Sequence, residues 1–240
     1  MNDSQKYKPT YILIALNIAV YLYTSVAGGD FLTTGDNMLL QWGQVNGLVL
    51  YEGAWSQLFT SMFVHATIVH LAGNMFFLLI FGLRGEEMFS LPEFLSIYVL
   101  GGLAGNLLSL IMGPYFSSVG ASGAIFGMFG ACVIYDRRTL GQSIVGALIY
   151  AFFLFIISAG PNVNYLAHLG GVGTGLLIGY VLAIRRKGDV RYRTSYSYRG
   201  GPLLLIYRRV KTSILTLVPS FRFRCFLRQT GAISSSTETS

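Results

Sequence analysis

The sequence predicts an all-α integral membrane protein, a bundle of six transmembrane helices with both termini in the cytoplasm. Three observations carry this. The 240 residues are 53% hydrophobic and only 11% charged, with a mean hydropathy of +0.57, whereas soluble domains carry about 25% charged residues. Apolar runs of roughly the 20 residues needed to cross a bilayer recur along the chain. All 17 Lys and Arg residues fall on one side of the topology these runs define.

The first span is 10–27, preceded by Lys6 and Lys8. No small-residue cleavage site follows it, so it reads as a retained anchor rather than a signal peptide. The loop 28–56 contains no Lys or Arg and holds Asp30, Asp36 and Glu52. The next apolar run, 57–83, would make about 40 Å of helix against about 30 Å of hydrocarbon. Its upper part, Trp55 to about Ala66, is therefore expected to be interfacial or re-entrant, and Arg84 marks its inner end. The remaining spans are 92–112, 119–136, 141–159 and 165–184, the last three short and interrupted by glycine. Arg137 and Arg138 follow the fourth, and Arg185, Arg186 and Lys187 follow the sixth. Loops 113–118 and 160–164 lack Lys and Arg, so the positive-inside rule and the even span count give the same orientation.

Two regions follow: a six-span domain, 1–187, and a basic cytoplasmic tail, 188–240. Nine of the basic residues lie in the tail. Its run 203–226 mixes apolar and basic residues too closely to span. Two readings stay open, an amphipathic segment on anionic inner-leaflet lipids or a partly disordered tail. The net charge of +7 arises mostly from the tail and the topology, so nucleic-acid binding is not implied. Cys132 and Cys225, the only cysteines, sit in an apolar run and in the tail, which argues against a disulfide framework or a thiolate metal site. The expected location is the cell membrane, as a multi-pass protein.

Polar and ionisable side chains are costly in lipid and mark function. Those that stand out are His65, His70 and Asn74 near the second span, Ser122 in the fourth and His168 in the sixth. His70 lies 14 residues before Arg84, Ser122 14 before Asp136, and His168 17 before Arg185. At 1.5 Å per residue these positions are about 21, 21 and 25 Å from the inner boundary. Spans 2, 4 and 6 run in the same direction, so the three positions converge on one level below the outer surface. His70 and Asn74 share a helix face at i,i+4, while helical spacing turns His65 away from His70. Gly171, Gly175 and Gly179 form a stripe on the face of His168; Gly123, Gly127 and Ala131 form another beside Ser122. Two small-residue faces in contact would bring serine and histidine within hydrogen-bond reach, the pairing that activates a hydroxyl nucleophile.

Gly120-Ala121-Ser122-Gly123, His65-x4-His70-x3-Asn74 and Ala167-His168-x2-Gly171-x3-Gly175 together resemble the rhomboid family of intramembrane serine proteases. The resemblance covers about residues 10–187. It implies a Ser122–His168 dyad without an aspartate and an oxyanion hole from His70, Asn74 and the Ser122 main-chain N–H. Gly120 and Gly123 would shape the turn presenting the serine, and Glu86 matches a structural acid at the inner end of helix 2. Phe126 stands where many members have a tyrosine stacked beneath the catalytic histidine. Ser56 follows Trp55 where the family often has arginine, a departure in the first outer loop. The implied substrates are transmembrane proteins whose helices unwind near the outer face, with helix 5 (141–159) as the usual gate. No cofactor or metal is implied.

Other readings are weaker. The histidines lack an HExxH pattern or an intramembrane acid to complete a zinc site, and Gly120-x-Ser122-x-Ala124 does not complete a GxSxG elbow. His65 reads as structural, bonding loop backbone above helix 2. A non-proteolytic relative that binds transmembrane helices would be expected to lack Ser122 or His168. A small transporter would be expected to show internal repeats or paired charges within spans.

Overall fold

A computed structural model describes residues 8–140 and 163–186. The expected fifth span (141–159), most of the loop 160–164 and the tail from 188 lie outside the described residues. Among the described residues, four helices are long and apolar enough to cross a membrane: α1 (Pro9–Gly28), α5 (Ile68–Met88), α6 (Leu91–Ser109, extended by a 3-10 turn to Met112) and α8 (Tyr165–Arg185). A fifth long helix, α7 (Ser122–Leu140), corresponds to the expected fourth span and carries Asp136, Arg137 and Arg138 near its C-terminal end. Between α1 and α5 lie α2 (Asp36–Trp42), α3 (Asn46–Glu52) and α4 (Gln57–Thr60), with a 3-10 turn over Ser61–Phe63. The run 57–83 is thus broken as its length requires, and the membrane helix proper begins at Ile68.

Local chemistry sets the helix ends. Gly29 closes α1 in the left-handed conformation, φ 83°, which costs glycine least. Thr67 caps α5 by accepting the His70 N–H at 3.1 Å. Ser90 and Glu93 form a capping box at the start of α6. Glu86 lies near the last turn of α5, where its carboxylate accepts the Thr10 N–H at 2.8 Å. That N–H belongs to the first turn of α1, which has no carbonyl one turn back.

The loop between α1 and α5 is ordered without an arginine beside Trp55. A short antiparallel pair, β1 (Gln44–Val45) with β2 (Ser117–Ser118), ties it to the segment before α7. Buried amides do the rest. Gln44 donates to the Asn46 side chain, the Asn106 carbonyl and Ser109 Oγ at 2.8–3.0 Å, and Asn46 donates to the Ser109 and Gly113 carbonyls. Gln57 accepts from Val45 and donates to the Leu40 carbonyl at 2.9 and 2.8 Å. Buried amides left unpaired would each cost about 1–3 kcal/mol, so this network specifies one arrangement of the loop.

The helices pack around α7. Its Gly123–Gly127–Ala131 face lies against Gly171, Gly175 and Gly179 of α8: a Cβ at Gly171 or Gly175 would run into the Gly123 or Gly127 carbonyl, and one at Gly179 into that of Ala131. The two stripes seen in the sequence therefore meet. At the end away from Ser122, Arg84 Nη2 of α5 donates to both carboxylate oxygens of Asp136 of α7 at 2.9 Å. Arg186, just past α8, donates to the Met88 carbonyl at 2.8 Å and pairs with Glu93 of α6.

Candidate active site

Ser122 is the first residue of α7, so the main-chain N–H groups that open the helix have no carbonyl one turn back. The chain enters this turn through Gly120, whose φ of 119° disfavours any side chain. A Cβ there would also lie 2.9 Å from the His70 ring. The Gly120 N–H donates to the Ser61 carbonyl at 2.9 Å. Asn106 in turn donates to Ser61 Oγ and the Leu58 carbonyl at 2.9 and 2.7 Å. The amide network of the loop thus reaches the turn that carries the serine.

His168 lies one turn into α8 and is 4% exposed. Its Nε2 is 2.9 Å from Ser122 Oγ, a separation suited to proton transfer. Phe126, one turn below Ser122, stacks on the imidazole with centroids 4.3 Å apart and planes at 24°. Ser122 itself is partly exposed, so the serine is the accessible member of the pair.

His70 and Asn74 sit on the neighbouring face of α5. The His70 ring abuts Gly120, and Asn74 Nδ2 comes within 3.8 Å of the position a Gly120 Cβ would take. Asn74 spends one amide hydrogen on the His70 carbonyl at 2.9 Å, leaving a second donor. His70, Asn74 and the Ser122 N–H therefore surround the turn from which an oxyanion could be bound.

His65 departs from expectation. Helical spacing turned it away from His70, but the residue precedes α5, where that spacing does not apply. Its ring lies edge-on to His70 with centroids 5.2 Å apart. Its main-chain carbonyl accepts the side-chain hydroxyl of Thr34 in the outer loop at 2.7 Å. Burial, and secondarily His70, push the His65 ring down to about 3 from its ordinary 6.5. A histidine held neutral in the fold stabilises fully above the unfolded value. That contribution is lost as pH falls from about 6.5 toward about 3, because the unfolded chain takes the proton first. Unfolding measured in detergent is expected to lose on the order of a few kcal/mol over this range, and less in His65→Gln. Equal pH slopes in the two proteins would contradict the assignment.

Three residues escaped sequence reading. Asn164 could be seen only as a polar residue of the outer loop; it caps α8, its Oδ1 accepting the Ala167 N–H at 2.9 Å. Asparagine just before an apolar helical run was the available signal. Ser61 and Asn106 gave no signal, since their roles depend on contacts between distant segments.

The Rhomboid domain family matches residues 52–185, which include every residue of this site. Rhomboid protease GluP of Bacillus subtilis (strain 168) is 33% identical over 194 residues, 77% of this chain and 37% of that protein. RHOMBOID-like protein 6, mitochondrial, of Arabidopsis thaliana is 36% identical over 149 residues, 59% of this chain and 48% of that protein. The chain thus spans less than half the length of these two curated relatives. With the Bacillus subtilis protein YdcA it is 29% identical over 189 residues, 75% of this chain and 91% of that protein.

Proposed function

The chain belongs to the rhomboid family, and from that premise we propose that it is an intramembrane serine endopeptidase cutting transmembrane proteins near the outer face of the cell membrane. The observation that carries this reading is the 2.9 Å contact between Ser122 Oγ and His168 Nε2. In the proposed reaction His168 takes the Ser122 proton as Oγ attacks the scissile carbonyl. The tetrahedral oxyanion receives hydrogen bonds from the Ser122 N–H, His70 and Asn74. His168 then protonates the leaving amine, and water resolves the acyl-enzyme through the same base. The charge pattern supports placing both termini in the cytoplasm and the site near the outer face, with six spans. The membrane location is what lets the site meet a transmembrane helix that has locally unwound.

The test is cleavage of a tagged single-span substrate by the full chain in proteoliposomes. Wild type is expected to produce two fragments cut near the outer end of the span, and Ser122→Ala none. Intact substrate with folded wild type would instead favour a relative that binds transmembrane helices without cutting them.

A further inference from the structure

The dyad contact has a twin. Ser122 and His168 are 46 residues apart and joined at 2.9 Å; Ser118 and Asn164, each four residues earlier, are also 46 apart, and Asn164 Nδ2 donates to Ser118 Oγ at 2.9 Å. Two parallel rungs therefore connect the chain entering α7 with the chain entering α8. We propose that the Ser118–Asn164 rung is a positioning device that sets the register of His168 against Ser122, resting on the reading of that pair as the dyad.

The argument begins with the interface between α7 and α8. It is a contact of two glycine and alanine faces, which permits close approach. Small, smooth faces fix the separation of two helices better than their axial shift. A hydrogen bond is directional and short-ranged, so one bond at the helix ends can supply the missing constraint. Asn164 is built for this. Its planar amide uses Oδ1 to cap α8 on the Ala167 N–H and Nδ2 to reach Ser118, while its carbonyl accepts the His168 N–H at 3.3 Å. The side chain is thus coupled rigidly to the first turn of the helix that carries His168, and the residue is 8% exposed.

The other end of the rung is equally fixed. Ser118 pairs with Gln44 across the β1–β2 ladder, and Gln44 is anchored to α6 through the Asn106 carbonyl and Ser109 Oγ. The frame that orders the outer loop therefore extends through Ser118 and Asn164 to the histidine. Proton transfer depends steeply on such placement, since a 1 Å error can cost about 10²-fold in rate.

The experiment measures fluorophosphonate labelling rates, kcat and KM for a transmembrane substrate, and thermal stability, on the full chain in detergent. Ser118→Ala removes the rung and leaves the Asn164 cap intact; Ser118→Thr keeps the hydroxyl. Ser118→Ala is expected to slow labelling and kcat about ten- to a hundredfold, with KM and melting temperature nearly unchanged. Ser118→Thr should restore most of the rate. Combining Ser118→Ala with Asn164→Ala should be no slower than Asn164→Ala alone, because both remove one rung. Wild-type rates in Ser118→Ala, faster rates, additive losses, or a rate loss that follows unfolding and is not restored by threonine would each overturn the proposal. If wild type fails to label, or His168→Ala labels as fast as wild type, the dyad itself fails; a normal His168 effect with an unaffected Ser118→Ala removes only the rung.

Discussion

His168→Ala is expected to lower turnover of a transmembrane substrate by about 10⁴-fold, in line with the upper range for a positioned general base. The buried imidazole has two structural supports, the Phe126 ring stacked at 4.3 Å and the capped first turn of α8. Neither replaces its proton-accepting nitrogen. Adding Ser122→Ala to this variant should cost little more, because nucleophile and base act as a unit. Substrate binding should survive in both. Retained turnover in His168→Ala, measured on protein with an unchanged melting curve, would remove the histidine from the chemistry.

The second large effect is structural. Gly175→Leu is expected to destabilise the bundle by about 3 kcal/mol or more, at the upper end of overpacking costs, because its side chain would start inside the Gly127 carbonyl. Backbone cannot move aside as a flexible side chain can. Gly173→Leu, two residues away on the same helix, provides the control. A Cβ there meets nothing within 4 Å, and an exposed helical glycine gains from replacement by leucine. Denaturant titration in detergent should therefore separate the two variants clearly. Equal stabilities would mean that α7 and α8 are not held by this face.

Particular residues show how much of this was legible beforehand. Ser122 and His168 could be paired from sequence because depth in a membrane helix is a count of residues from a charged anchor. The stripes Gly123–Gly127–Ala131 and Gly171–Gly175–Gly179 could be matched because helical periodicity assigns each a face. Both inferences need only regular helix geometry. His65 was misjudged where that geometry stops, three residues before Ile68, and its approach to His70 follows from the bend there. The loop between α1 and α5 was opaque for a related reason. Gln44, Asn46, Gln57 and Asn106 are ordinary polar residues until the fold brings them together, and their pairing is long-range. Ser118 and Asn164 belong to the same class. What orders the surroundings of the site was therefore hidden in irregular segments, while Ser122 and His168 were visible on helices.

The central claim is that Ser122 is a nucleophile activated by His168. A fluorophosphonate probe tests it most directly, since it reports the serine without requiring knowledge of the substrate. The detergent-purified chain should label covalently, with the adduct located on Ser122 by peptide mapping, and labelling should vanish in Ser122→Ala. Equal labelling of both proteins, or an adduct on another residue, would contradict the account.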